Sequence, residues 1–374
     1  MREWRPLNLA GKKEKWLMWV LVVWFLLLSI PSQQFLSIRS SEAVSSPQSS
    51  TLIWTTEPLR QVFIRVQQKF IGVVPGNYTE PTQADLSTMR TVFSLIDNGI
   101  SKNDTNSLLK ASSIAGQINY QIMPVNDSTT GNRYYVLLEG PDVNRGWGTY
   151  FFVAKQDGEK HPRVIIEAPH PVTDFNSQNI AYEVFIGSYP RAFGYFVSGV
   201  ERTFGLNGQT DMAHRTLSVF EAATEAFAKF GSVVIQIHSF DAVRHPGYPW
   251  VIVSTGDGGA NGALESITSH LQSSGISVGI FDGFKYEVLA GTNNAQGRYL
   301  RAVGAGFVHV EISTTVVFNS TLITSLQSSM TQSLIDGFRF PAYPVDPRIP
   351  AIALSVVAIY SFASFRFSKP KLKP

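Results

Sequence analysis

Seven histidines and no cysteine occur in the 374 residues. Without cysteine there is no thiol nucleophile, no disulfide scaffold, no Cys-bound zinc and no iron–sulfur cluster. Any metal must be held by imidazole and carboxylate, and three histidines stand where such a site can form. His170 opens HPVTD, five residues that end in Asp174 and follow the apolar run RVIIE. His238 closes VVIQIH, and FVHVEI carries His309 and Glu311 on alternate positions, hence on one face of a strand. A lone imidazole at a strand end is ordinarily a hydrogen-bonded core group. Two of them with an Asp and a strand-borne Glu suit metal-assisted hydrolysis. His170, Asp174 and His238 can hold Zn2+ and leave a fourth position for water, and Glu311 can take that water's proton as general base.

Two further segments bring polar side chains. GVERTFGLNGQTDMAHRT contains Arg202, Asp211, His214 and Arg215. A guanidinium here is shaped to pair with a substrate carboxylate. Asp211 and His214 can be a second metal pair, or can support the metal ligands from behind. Equally, Asp211 can cap a helix expected over 214–229. GTNNAQGRYLRA offers Asn294 and Arg298 for recognition of a peptide or acyl-amino-acid carboxylate, although an ordinary Asn/Gly turn is the simpler reading. STGDGGANGALES lacks the spacing of a dinucleotide or nucleoside-triphosphate loop and reads as a plain turn between strand and helix. There is no G-x-S-x-G, and no carboxylate pair stands out for glycoside cleavage.

In chain order, PHPVTD, IQIHSFD and HVEIS resemble the motifs of zinc carboxypeptidase-like amidohydrolases, most nearly the N-formylglutamate amidohydrolase family. The resemblance covers roughly 133–340. It implies a zinc-dependent amide or peptide hydrolase in which His170, Asp174 and His238 are ligands and Glu311 is the base. The first motif is H-x3-D here, where carboxypeptidases have H-x2-E.

Elements must bring these motifs together. Apolar runs at 163–167, 233–238, 250–254, 277–281 and 307–312 read as buried strands, and 133–138 with 149–154 as an antiparallel pair. Helical spacing falls between them at 179–186, 214–229, 263–273 and 322–337. The alternation predicts an α/β fold with a mixed, largely parallel sheet flanked by helices. Ligands in such sheets bind beyond the carboxyl ends of strands, where the three motifs lie. Residues 37–50 are Ser-rich and read as a stalk. Residues 51–130, with helix-like spacing at 59–70 and 86–95, read as a small lead-in to a hydrolase domain at 131–340.

The chain is 16% charged, with mean hydropathy +0.02, and its 25 Phe, 13 Tyr and 7 Trp exclude a disordered polymer. Residues 1–15 carry a net +3 and the last nine +4, so the remainder carries −4 of the total +3. Basic character confined to the tails excludes a nucleic-acid surface on the main domain. Residues 16–35 are uncharged and long enough to cross a bilayer, which takes about 20 residues. A second apolar run at 349–365 precedes the basic tail RFSKPKLKP. The expected organisation is a tail and transmembrane anchor at 1–36, an extracytoplasmic body, and a C-terminal transmembrane helix with a basic tail at 341–374. Both termini then lie in the cytoplasm by the positive-inside rule. The partners expected are the lipid bilayer and a peptide or acyl-amino-acid substrate. The competing expectation is a catalytically silent envelope protein that binds a peptide, glycan or protein through the same domain.

Overall fold

The computed structural model describes residues 51–74, 77–156 and 161–338. The two expected membrane segments lie outside the described residues. Among the described residues no helix is long and apolar enough to cross a membrane.

Ten strands form one sheet: β1 (Thr55–Glu57), β2 (Tyr120–Asp127), β3 (Arg133–Glu139), β4 (Thr149–Val153), β5 (Val164–Ala168), β6 (Ala192–Val197), β7 (Val233–Phe240), β8 (Val251–Ser254), β9 (Val278–Ile280) and β10 (Gly306–Ser313). Their spatial order is β1-β2-β3-β4-β6-β5-β7-β10-β8-β9. The centre, β6-β5-β7-β10, is parallel. On one side β2, β3, β4 and β6 pair antiparallel, with β1 parallel to β2 at the edge. On the other, β8 runs antiparallel to β10 and β9 parallel to β8. The sheet is thus mixed, with its parallel part where the chemistry-bearing motifs fall.

Helices cover both faces, and the alternation of aromatic residues along the strands shows how. Phe152 and Phe196 pack with Phe227 of the Val219–Phe227 helix, which also meets Phe93 of the Gln83–Ser101 helix. Their neighbours Phe151 and Tyr195 point to the other face, against Phe63 of the Leu59–Gln67 helix and Tyr182 of the Ser177–Gly187 helix. Covered on both sides, the central strands are buried along almost their whole length, as their unbroken apolar runs require.

Three strands were not expected. β6 (AFGYFV) follows a Tyr-Pro turn and carries a glycine, which weakens its signal. β1 and β2 belong to the stretch 51–130 read as a lead-in. β2 pairs with β3 along seven residues, so this stretch extends the sheet. Pro124 in the middle of β2 masks the pattern, because proline cannot donate to a ladder. The expected helix at 214–229 begins later, at Val219. Its cap is Ser218, whose hydroxyl accepts from the Glu221 amide at 3.0 Å, so Asp211 is not the cap.

Candidate metal centre

β5 ends at Ala168, and the next residues fold into a single turn in which the Asp174 amide donates to the His170 carbonyl at 3.1 Å. Val172 closes that turn at φ +76°, a left-handed conformation that costs a β-branched residue about 1–3 kcal/mol. The turn sets the His170 imidazole and the Asp174 carboxylate side by side above β5. β7 is the adjacent strand and brings His238 to the same place. Glu311 lies opposite His238 in the β7–β10 register.

One oxygen of Asp174, Oδ2, faces Nδ1 of His170 at 3.3 Å and Nδ1 of His238 at 2.7 Å. The outer nitrogens decide what those Nδ1 atoms carry. Nε2 of His170 donates to Oδ1 of Asp211 at 2.8 Å, and Nε2 of His238 donates to Oε1 of Gln236 at 2.9 Å. A neutral imidazole has one N–H. With that proton outside, both Nδ1 atoms present lone pairs to a carboxylate oxygen that is itself an acceptor. With both imidazoles neutral, three acceptors meet within 4.8 Å of one another, and a shared cation, whether an added proton on His170 or a metal ion, satisfies them. For an ion about 2.0–2.1 Å from each ligand in tetrahedral geometry, ligand atoms stand about 3.3 Å apart. The His170 contact has that spacing already, and the His238 contact must open by about 0.6 Å. The set therefore fits zinc, with each histidine held from behind by an acceptor, as metal-binding imidazoles are.

Asp211 is the hub behind His170. Its carboxylate also accepts from Nδ1 of His214 at 2.9 Å and from Nε of Arg202 at 3.1 Å. These partners overcome burial and hold Asp211 well below the usual carboxylate range. Burial works against the charge on Asp174 too, but His170 and His238 hold its pKa low. Burial alone would lower His170, yet Asp174 and Asp211 raise it above the ordinary value. His238 is depressed, chiefly by burial. Glu311 is pushed well above the usual range by burial and then by the Asp174 charge.

An open pocket of ≈ 300 Å³ lies over these groups, lined among others by His170, Arg202, His214, His238, His309 and Glu311. Arg202 and His214 thus line the open pocket beside the His170–Asp174–His238 group. Arg215 instead pairs with Glu80. Arg298 is not among the residues that line the pocket, and it donates to the Asn293 carbonyl at 2.6 Å. Asn294 reaches the pocket wall but is 1% exposed, and both ends of its amide are engaged within the protein. The sequence assigned Arg298 and Asn294 to substrate; the fold gives both of them structural contacts.

His238, His309 and Glu311 form a second close group. Nε2 of His309 is 3.9 Å from Oε1 of Glu311, and its Nδ1 is buried without a hydrogen-bond partner among the described residues. Both His238 nitrogens are already committed, so this group lacks a free third ligand. Burial, and next the neighbouring His238, keep the His309 imidazole neutral by lowering its pKa well below the ordinary value. Gly291 lies against this ring: a Cβ there would come within 2.7 Å of it.

Sequence reasoning missed the layer beneath. Glu167, Gln236, His309 and Ser254 form a row across β5, β7, β10 and β8, buried beneath the His238–Glu311 pair. Gln236 precedes His238 by two positions, so on a strand it shares the histidine's face. A lone amide among VVI and I was the available signal. Burial raises Glu167 to about 7, and burial together with Glu167 raises Glu221 to about 8.

These features define a buried His–carboxylate centre of the kind that holds a single metal ion, with a carboxyl group beside it and an open cleft above. No protein-family model matches the chain, and neither does any curated protein. Among solved structures it is similar to a bacteriophage poly-γ-glutamate hydrolase, at 13% identity and TM-score 0.35 over 47% of this chain and 84% of that one. It is similar also to an aspartoacylase family protein from Mesorhizobium loti, at 12% identity and TM-score 0.34 over 56% and 68%. Carboxypeptidase A from Helicoverpa armigera is a third, at 10% identity and TM-score 0.32 over 74% and 79%. All three likenesses are loose, and the chemistry of the site stands on its own residues.

Proposed function

We propose that the protein is a metal-dependent amide or peptide hydrolase, anchored in a membrane at both ends with its main domain outside the cytoplasm. The observation that carries the hydrolytic reading is the convergence of three lone-pair donors, from His170, Asp174 and His238, beside an uncommitted carboxyl on Glu311. His170, Asp174 and His238 would hold Zn2+, which when bound polarises an amide carbonyl and acidifies water. The charge of a bound metal ion would offset the burial and the Asp174 charge that keep Glu311 protonated, and its carboxylate would then take the water proton and return it to the leaving amine. Among the described residues Arg202 spends only its Nε, on Asp211, and this leaves its outer nitrogens for a substrate carboxylate. Asp211 in turn keeps His170 and Arg202 in place through one anion. A peptide or acyl-amino-acid substrate satisfies both ends of the pocket: a scissile amide near Glu311 and a carboxylate near Arg202. The apolar segments at 16–35 and 349–365, each flanked by basic residues, support the anchored topology.

Metal analysis of the purified full chain is the direct test. Reconstitution should give about one zinc per chain, and both His170→Ala and His238→Ala should lose it. Stoichiometry near zero in the parent protein, or full loading in both variants, would rule the metal centre out.

A further inference from the structure

A buried amide has a sign: turned end for end, it swaps a donor for an acceptor. Gln236 stands behind His238, and its orientation decides which nitrogen of that imidazole carries the proton. As built, Oε1 of Gln236 accepts from His238 Nε2, so Nδ1 is the lone pair that faces Asp174. With Gln236 reversed, its NH2 would meet Nε2, the proton would move to Nδ1, and Nδ1–H would donate to Asp174. His238 would then be a closed hydrogen-bond donor and not a ligand.

Two backbone groups fix the sign, one at each end of a chain of side chains. At one end the Gly297 amide donates to Oδ1 of Asn294 at 2.8 Å, the N-cap of the Ala295–Val303 helix. An N–H can only donate, so Oδ1 is the oxygen, and Nδ2 is left to donate to Oε1 of Gln236. At the other end the Met212 carbonyl accepts from Nε2 of Gln296 at 3.0 Å. Gln296 therefore turns Oε1 toward Gln236 and accepts from its Nε2 at 3.2 Å. Nε2 of Gln236 also donates to Oε2 of Glu167 at 2.9 Å. Reversing Gln236 would set its oxygen against the Gln296 oxygen and the Glu167 carboxyl, and its NH2 against the NH2 of Asn294. Gln236 and Gln296 are 0% exposed and Asn294 1%, so water cannot repair any of these clashes.

We infer that Gln236 is a positioning residue that fixes the Nε2–H tautomer of His238, and that Asn294, polarised by the helix it caps, fixes Gln236. The inference rests on the reading of His238 as a metal ligand, but its first readout needs no metal. Metal-free protein labelled with 15N on histidine should show Nε2 of His238 protonated, with Gln236 as its acceptor. Gln236→Leu removes the acceptor and should yield a mixture or the Nδ1–H form, with zinc affinity, measured against a chromophoric chelator, lower by about 10–100-fold. Asn294→Ser is the sharper variant. Serine caps a helix about as well as asparagine does, yet its shorter side chain, engaged by the Gly297 amide, ends short of Gln236. The fold should hold while the tautomer shifts the same way. An unchanged tautomer in folded Asn294→Ser together with zinc affinity within twofold of the parent would overturn the inference. Failure of the metal reading shows separately, as a parent protein that binds no zinc whatever its tautomer.

Discussion

Asp174 takes two imidazoles on one oxygen, while Glu311, across the β7–β10 register, makes no side-chain hydrogen bond among the described residues. On the proposed function that contrast divides their tasks: the first would hold the ion and the second would move a proton. Glu311→Gln should accordingly leave zinc content unchanged and lower turnover by about 10²–10⁴-fold, the usual span for a general base. Full activity in that variant, assayed on N-acyl amino acids or peptides, would take Glu311 out of the reaction. His170, Asp174, His238 and Glu311 were legible from residue type and strand position, because few other residue types bind a metal or move a proton. Gln236, Asn294 and Gln296 were not. An amide carries no chemistry of its own, and its importance lies in a direction that only the surrounding bonds determine.

At the level of elements, the helix Val219–Phe227 sets Glu221 behind the sheet, near Glu167 of β5. The carboxyl of Glu221 accepts from Gln296 and is nearly free of solvent. It keeps its proton to about 8 in the folded chain, against 4.5 when unperturbed. The folded state therefore binds the extra proton between those values. Its share of stability is complete below the lower one and is lost as pH rises through the higher one. Glu221→Gln cannot ionise and should gain on the parent protein across this window, by at most about 1.4 kcal/mol per pH unit. Thermal melts from about pH 5 to about pH 8 would show the gap in Tm widening; a constant gap would mean that Glu221 ionises freely. The central strands β5, β7 and β10 were readable because burial on both faces demands unbroken apolar runs. The helix Ala295–Val303 was not, since Asn, Gln, Gly and Arg at its start resemble a turn until Asn294 is seen capping it.

For the whole molecule, the proposed anchored topology makes a prediction that the absence of cysteine renders simple to test. A membrane-impermeant maleimide should label Ser45→Cys in intact cells, and Ser368→Cys only after lysis. The reverse pattern would place the domain on the cytoplasmic side. The sheet itself has a consequence for how the chain matures. β5 with its following turn and β7 carry His170, Asp174 and His238, whereas Glu311 arrives on β10, after residues 241–305 have been made and folded back. Parallel pairing across so long a stretch closes slowly, because loop entropy is spent before the contacts repay it. Chain order thus puts His170, Asp174 and His238 ahead of Glu311. On the proposed function, a chain cut short before β10 would carry the ligands of the ion and lack the base.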